Sequence, residues 1–297
     1  MTSAQLLSQW VLPVALALMM FAMGLALTLN DFRRIKIFPR PVILGILLQF
    51  LLLPTLAWGM ILLLGLWIDI PQLLAFGILI LAACPGGATS NVISHLAGGD
   101  GALSISMTAI VSVLMPFIIP ISLAYQLSWI AEDPLGIHLP IMKTITQLVL
   151  VTALPVILAM CLRYYWPSWV LKIEPSFKKI SGLLFLLLVL SLLAVQWPQL
   201  KLLGSTVLVL CIVMSLSLCV VAMLAAYGMA KKQGFDVRTG KTLAIEVGIQ
   251  NAGTGIFIAA VLLHNPQLAL IPLTYGLVMN IPALALIAIN ARKFSLG

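Results

Sequence analysis

Of the 297 residues, 62% are hydrophobic and only 8% charged, far outside soluble globular composition, in which about a quarter of residues carry charge. A water-soluble core is thereby excluded as the main architecture. The net charge of +8 would suit a nucleic-acid partner only if the basic residues shared a soluble face; they lie instead in gaps between apolar runs, so no nucleic-acid partner is expected.

About 20 apolar residues cross a bilayer as a helix. On that measure the runs 11–29, 41–66, 72–96, 102–130, 140–162, 180–198, 202–230, 241–263 and 268–290 predict nine transmembrane helices in an all-α polytopic chain, a single transmembrane domain over 1–297. Met1 to Trp10 carry no basic group before the first run and no small-residue cleavage site follows it, so a removable secretory signal is not expected. Basic residues are retained on the cytoplasmic side during insertion. Arg33, Arg34, Lys36 and Arg40 follow the first run; Arg163, Lys172, Lys178 and Lys179 the fifth; Lys231, Lys232, Arg238 and Lys241 the seventh; Arg292 and Lys293 the last. Only Lys143 and Lys201 fall on the opposite side, which predicts an outside N-terminus and a cytoplasmic C-terminus; the expected location is the cell's inner (plasma) membrane. Trp10, Trp67, Trp129, Trp166, Trp169 and Trp197 sit near predicted ends, as interfacial anchors do. Cys84, Cys161, Cys211 and Cys219 show no C-x-x-C spacing and read as reduced packing residues.

Two runs are not ordinary apolar helices. The third contains Cys84-Pro85-Gly86-Gly87-Ala88-Thr89-Ser90-Asn91, and the eighth contains Glu246-Val247-Gly248-Ile249-Gln250-Asn251-Ala252-Gly253-Thr254-Gly255. Proline removes a backbone donor and glycine relaxes the chain, so both runs predict locally unwound helices. Non-helical backbone at membrane depth is tolerated only against protein or a polar cavity. Paired interruptions of this kind point to a secondary transporter, whose broken helices offer carbonyls to cations and helix N-termini to anions.

Glu246 is the only carboxylate placed well inside a run; Asp31, Asp69, Asp100, Glu132, Asp133, Glu174 and Asp236 fall in loops or at ends. An ionised side chain at a helix centre costs roughly 2.5–3.5 kcal/mol on insertion scales. The compensation is a bound cation or a proton; an interfacial Glu close to Lys241 is the plain alternative. A sodium site wants hard oxygen ligands. Ser90, Asn91, Ser104, Thr108, Gln49 and Gln250 can supply them, although membrane Ser and Thr often bond their own backbone and Gln49 can instead bond a neighbouring helix.

At these residues the sequence resembles the bile acid:sodium symporter family. Cys-Pro-Gly-Gly-x-x-Ser-Asn from Cys84, followed by Ala102-Leu103-Ser104 and Thr108, and Glu246-Val247-Gly248-Ile249-Gln250-Asn251-x-Gly253 are similar to its two crossover motifs. Gln49-Phe50 with Pro54 and Ala57-Trp58 also matches, and the similarity covers essentially the whole chain. The resemblance implies sodium-coupled uptake of a small organic anion by alternating movement of a core domain (runs 2, 3, 4, 7, 8 and 9) against a panel domain (runs 1, 5 and 6). By motif position it implies one Na+ site at Ser90, Asn91, Ser104, Thr108 and Glu246. A second would use Gln49, Glu246 and Gln250 with the carbonyls of Val247 and Ile249, and Thr89 and Asn251 would lie beside the substrate. The chain departs from the ten-helix bacterial pattern by starting at the helix that ends Met23-Gly24-Leu25-Ala26-Leu27-Thr28, which makes the inverted repeat four plus five.

Two other readings stand beside symport: a proton-coupled or efflux carrier of related fold, and a membrane enzyme. The second is disfavoured because His95, His138 and His264 lie far apart and no His-x-x-x-His or Gly-x-Ser-x-Gly pattern occurs. No motif identifies the organic anion, and none indicates an obligate protein partner.

Overall fold

The computed structural model describes residues 10–87, 89–128 and 139–295, without the side chains of 34, 185, 188, 195–203 and 292–295. Trp129, Glu132, Asp133 and His138 therefore lie outside the described residues, as do the side chains of Arg34, Trp197, Lys201, Arg292 and Lys293. Among the described residues the regular structure is helical, apart from one isolated β-bridge.

Six helices are long and apolar enough to cross a bilayer: α3 (Pro39–Gly65), α6 (Gly101–Leu127), α7 (Ile141–Tyr165), α8 (Pro167–Ala194), α9 (Gly204–Lys232) and α12 (Pro266–Ala291). A bent pair, α1 (Leu12–Ala26) and α2 (Leu29–Ile37), turns through 74° and counts as a seventh if taken as one span. The two polar-interrupted runs are each split in two, as expected: α4 (Gln72–Ala82) and α5 (Thr89–Leu96), then α10 (Val237–Gly248) and α11 (Ala252–Leu262).

Local chemistry accounts for most of the boundaries. Asp31 accepts from the N–H and hydroxyl of Thr28 at 2.7 and 2.8 Å where α2 starts. Asp100 caps α6 by accepting from Ala102 N and Leu103 N, and Asp236 caps α10 through Thr239 N at 2.9 Å. The Thr239 hydroxyl and N–H hold the Asp236 carboxyl below its ordinary value. Wide π-type turns at Leu48–Leu52 and Val149–Ala153 end just before Pro54 and Pro155; each lets the chain absorb a missing donor and a ring that would collide with the carbonyl one turn back.

Two expected loops are helical instead. Arg33 and Lys36 ride on α2, and α8 begins at Pro167, ahead of the expected start at 180. Glu174 makes the second possible by pairing with Arg163 at 3.1 Å and Lys178 at 2.7 Å, which offsets the charge that marked this stretch as a loop. The helical stretch Pro167–Lys232 is divided at Gly204, whose φ of 83° is open to glycine at little cost.

Helix α1 is the hub for α7 and α8. Gly24 meets α7 so closely that a Cβ there would lie 2.6 Å from Val156 O, and Phe21 meets Phe177 of α8 with ring centroids 5.5 Å apart. The remaining helices gather around the two breaks, where buried residues of α4, α6 and α11 join α1 in one apolar cluster. Large apolar side chains such as Leu62, Ile121 and Leu224 point outward with more than half their surface exposed, the arrangement that suits lipid as solvent.

Candidate ion and anion site

The two breaks cross and hydrogen-bond to each other. Gly86 and Gln250 form the isolated antiparallel bridge, with Gly87 N donating to Ile249 O at 2.9 Å and Asn251 N donating to Pro85 O at 2.7 Å. Backbone groups released by unwinding one helix are thus satisfied by the other, as burial requires. Gly86 permits the approach: a Cβ there would stand 3.0 Å from both Glu246 O and Gln49 Nε2.

Glu246 is fully buried at this crossing. The nearby cation of α10, Lys241, donates to Ala97 O at 2.7 Å and Asn290 Oδ1 at 3.0 Å. The Glu246 carboxylate is instead ringed by hydroxyls. Ser90 Oγ lies 2.7 Å from its Oε1, Ser104 Oγ makes a short contact to the same oxygen, and Thr108 Oγ1 lies 3.4 Å from Oε2. Each hydroxyl also faces a second acceptor: Gly87 O for Ser90 at 2.6 Å, and Asn91 Oδ1 for Ser104 and Thr108 at 2.8 and 3.1 Å.

A hydroxyl carries one proton, so with Asn91 turned by its Oδ1 toward the cluster, half of these contacts bring lone pair against lone pair. A cation among these oxygens relieves that crowding and the buried charge together. The structure thus brings together Ser90, Asn91, Ser104, Thr108 and Glu246, and Ser104 and Thr108 use their hydroxyls here rather than on their own helix.

Gln49 and Gln250 flank the same place. Gln49 Nε2 donates to Glu246 O at 2.9 Å, and Gln250 Nε2 to Val247 O at 2.5 Å. Both side-chain Oε1 atoms are buried without a hydrogen-bond partner, an expensive state for amide oxygens. The carbonyls of Val247 and Ile249 each accept one bond and keep one lone pair free. The donor set is one carboxylate with neutral amide, hydroxyl and carbonyl oxygens. Among the described residues no group of three or more His, Cys, Asp or Glu side chains competes with it. Such a set fits a monovalent hard cation.

Thr89 and Asn251 both stand at half-helix N-termini. Thr89 is exposed at the start of α5. Asn251 is buried, caps α11 through Thr254 N at 3.1 Å, and points its Nδ2 toward Met20 Sδ of α1, 4.0 Å away. The free N–H groups and dipole of a helix start favour negative charge.

Sequence reasoning missed the supports behind these residues. Lys241 and Asn290 hold the carbonyl end of α5, with Asn290 Nδ2 donating to Leu96 O at 3.2 Å. Ser94 and Thr242 share a hydrogen bond of 2.9 Å that ties α5 to α10. Tyr275 OH donates to Gly248 O at 2.7 Å. These partners are far apart along the chain, and nothing local announces them; a lysine beside a basic cluster reads as one more topology anchor.

The sequence model of the sodium bile acid symporter family matches residues 13–203. An uncharacterized sodium-dependent transporter of Bacillus subtilis, YocS, is 28% identical over 260 residues, which cover 87% of this chain and 76% of that protein. A probable chloroplast sodium/metabolite cotransporter of Arabidopsis thaliana, BASS1, is 32% identical over 267 residues, 88% of this chain and 62% of the relative's length. The human ileal sodium/bile acid cotransporter is 27% identical over 280 residues, 94% of this chain and 77% of that protein.

Proposed function

Since the chain belongs to the sodium bile acid symporter family, whose members similar to it include sodium-dependent membrane transporters, we propose that it couples Na+ movement to uptake of a small organic anion. The carrying observation is the buried Glu246 carboxylate ringed by Ser90, Ser104 and Thr108. In this reading Ser90, Asn91, Ser104, Thr108 and Glu246 hold one Na+. A second sits between Gln49, Gln250 and the Glu246 carboxylate, with the carbonyls of Val247 and Ile249. The orphaned Oε1 atoms of both glutamines support it.

The anion binds beside Thr89 and Asn251, where two half-helix N-termini face it. Sodium bound first neutralises Glu246, without which a carboxylate or sulfonate approaching the crossing would meet like charge. Two Na+ carried with one monoanion move one net positive charge, so a potential of about 100 mV adds about 2.3 kcal/mol to the driving force.

The chain crosses the membrane nine times in this reading. The bent pair and each pair of half-helices count as one crossing, in a four-plus-five inverted repeat. Helices α1, α7 and α8 form a panel against which the remaining core helices move in alternating access. The basic loops face the cytoplasm and the N-terminus faces outward across the plasma membrane.

The test is uptake of a panel of labelled organic anions into proteoliposomes. An inward Na+ gradient is expected to drive accumulation of at least one anion, and an equal pH gradient is not. Accumulation driven by the pH gradient alone would replace sodium coupling with proton coupling.

A further inference from the structure

Beyond the oxygen cluster, on the side where the basic loops gather, lies a cavity of about 680 Å³ at the starts of α3, α6 and α10; Arg40, Asp100, Ser106, Asp236 and Thr239 are among its lining residues. Val42 and Leu103 also line it. These two belong with Met107 and Leu243 to a small buried apolar cluster. The same order holds along three helices: Gly45 lies one turn before Gln49, Leu103 lies before Ser104 and Thr108, and Leu243 lies one turn before Glu246. Side chains in helices lean toward the N-terminus, so Met107 reaches back across this layer. A Cβ on Gly45 would stand 2.7 Å from Met107 Sδ and 2.9 Å from Leu243 Cδ2.

Only an apolar layer about one helical turn thick, roughly 5 Å, separates the cavity from the ion ligands. Resting on the sodium-site reading above, we infer that Na+ exchanges with the basic-loop side through this cavity, inside the core, and that the Met107 side chain gates the passage. The organic anion uses a different face, where Asn251 looks toward α1. A dry apolar constriction stops an ion until it parts or wets. Met107 suits that task because an unbranched thioether swings among rotamers at little cost, and Gly45 contributes no side chain to block it. Asp100 and Asp236 line the cavity beside Arg40 and give a cation in transit two carboxylates to pass.

The test uses the whole protein in liposomes in a Cys161→Ser background, because Cys161 is exposed whereas Cys84, Cys211 and Cys219 are buried. Met107→Ala is expected to raise Na+ leak without substrate by about tenfold, because it thins the constriction. Met107→Leu, similar in volume but stiffer, is expected to slow Na+ exchange. Leu103→Cys is expected to react faster with a small cationic thiol reagent than with an anionic one of equal size, and more slowly when Na+ is bound. Parent-like leak and exchange in both Met107 variants, with Na+-dependent thermal stabilisation intact, would overturn the route and leave the site reading standing. If Met107→Ala does not fold, an inert Leu103→Cys overturns the route by itself. Absence of Na+-dependent stabilisation in the parent would overturn the site reading instead.

Discussion

Between Ala82 and Thr89 the chain sheds side chains, whereas between Gly248 and Ala252 it keeps them. The first break passes through Pro85, Gly86 and Gly87, and its value lies in what is missing: no Cβ at Gly86 stands between Gln49 and the Glu246 backbone. Its polar groups, Ser90 and Asn91, come only once α5 has begun. The second break is bordered by Glu246 and contains Gln250 and Asn251, which bring the carboxylate, an orphaned amide oxygen and a helix cap. One strand of the crossing makes room and the other fills it. The first is therefore sensitive to addition, the second to deletion.

Glu246→Gln is the strongest way to break this contrast. It removes the only fully buried charged side chain among the described residues but keeps the shape. It is expected to abolish Na+-driven uptake and the Na+-dependent rise in melting temperature, while leaving the Na+-free protein at least as stable as the parent, since a buried unpaired charge is costly. A sodium-dependent shift surviving in this variant would remove the carboxylate from the ion site.

Gly86→Ala tests the other strand. The new methyl would be 3.0 Å from Glu246 O and Gln49 Nε2, so a loss of about 1–3 kcal/mol of stability is expected from overpacking, read as a lower denaturation midpoint. Gln250→Ala removes an oxygen without crowding, and should weaken Na+ binding with a smaller change in stability. The contrast fails if the two variants behave alike.

Asn91 sharpens the comparison, because its amide orientation decides how crowded the oxygens are. Asn91→Asp keeps an oxygen toward Ser104 and Thr108 and is expected to retain Na+-dependent stabilisation, whereas Asn91→Ala should reduce it about tenfold in apparent affinity, near 1.4 kcal/mol. Stabilisation lost in Asn91→Asp and kept in Asn91→Ala would mean that the amide NH2 faces the cluster.

The smallest effect is expected at Lys241, which holds Ala97 O at the far end of α5. A cation at a helix C-terminus contributes about 0.3–1 kcal/mol at exposed sites. Lys241→Met should therefore raise the Na+ concentration for half-maximal uptake a few-fold with maximal rate little changed, and Lys241→Arg should restore it. A fall in maximal rate alone would assign Lys241 to the conformational step instead.

Much of this was readable in one dimension because the signals are local. Pro-Gly-Gly within an apolar run and a carboxylate inside another run declare themselves by composition, and both breaks lie where that reading placed them. What sequence could not convey is pairing at a distance. Gly86 and Gln250 form a bridge, and Lys241 reaches Ala97, through folding alone. Helix extents were misjudged where charge is neutralised in space: Glu174 looked like a loop residue until Arg163 and Lys178 closed on it. The apolar runs end near 29 and at 199–201, close to the bend after Ala26 and the division at Gly204, but hydropathy gave no sign of the 74° turn or of the positive φ.

The bridge between Gly86 and Gln250 also bears on biogenesis. Translation delivers Pro85 and Gly87 to the bilayer long before Ile249 and Asn251 exist, so one amide donor and one carbonyl of the early half wait in the membrane for partners made near the end of synthesis. A nascent chain arrested after α9 holds that wound open. Synthesis of the stretch from Ile249 to Asn251 is what closes it.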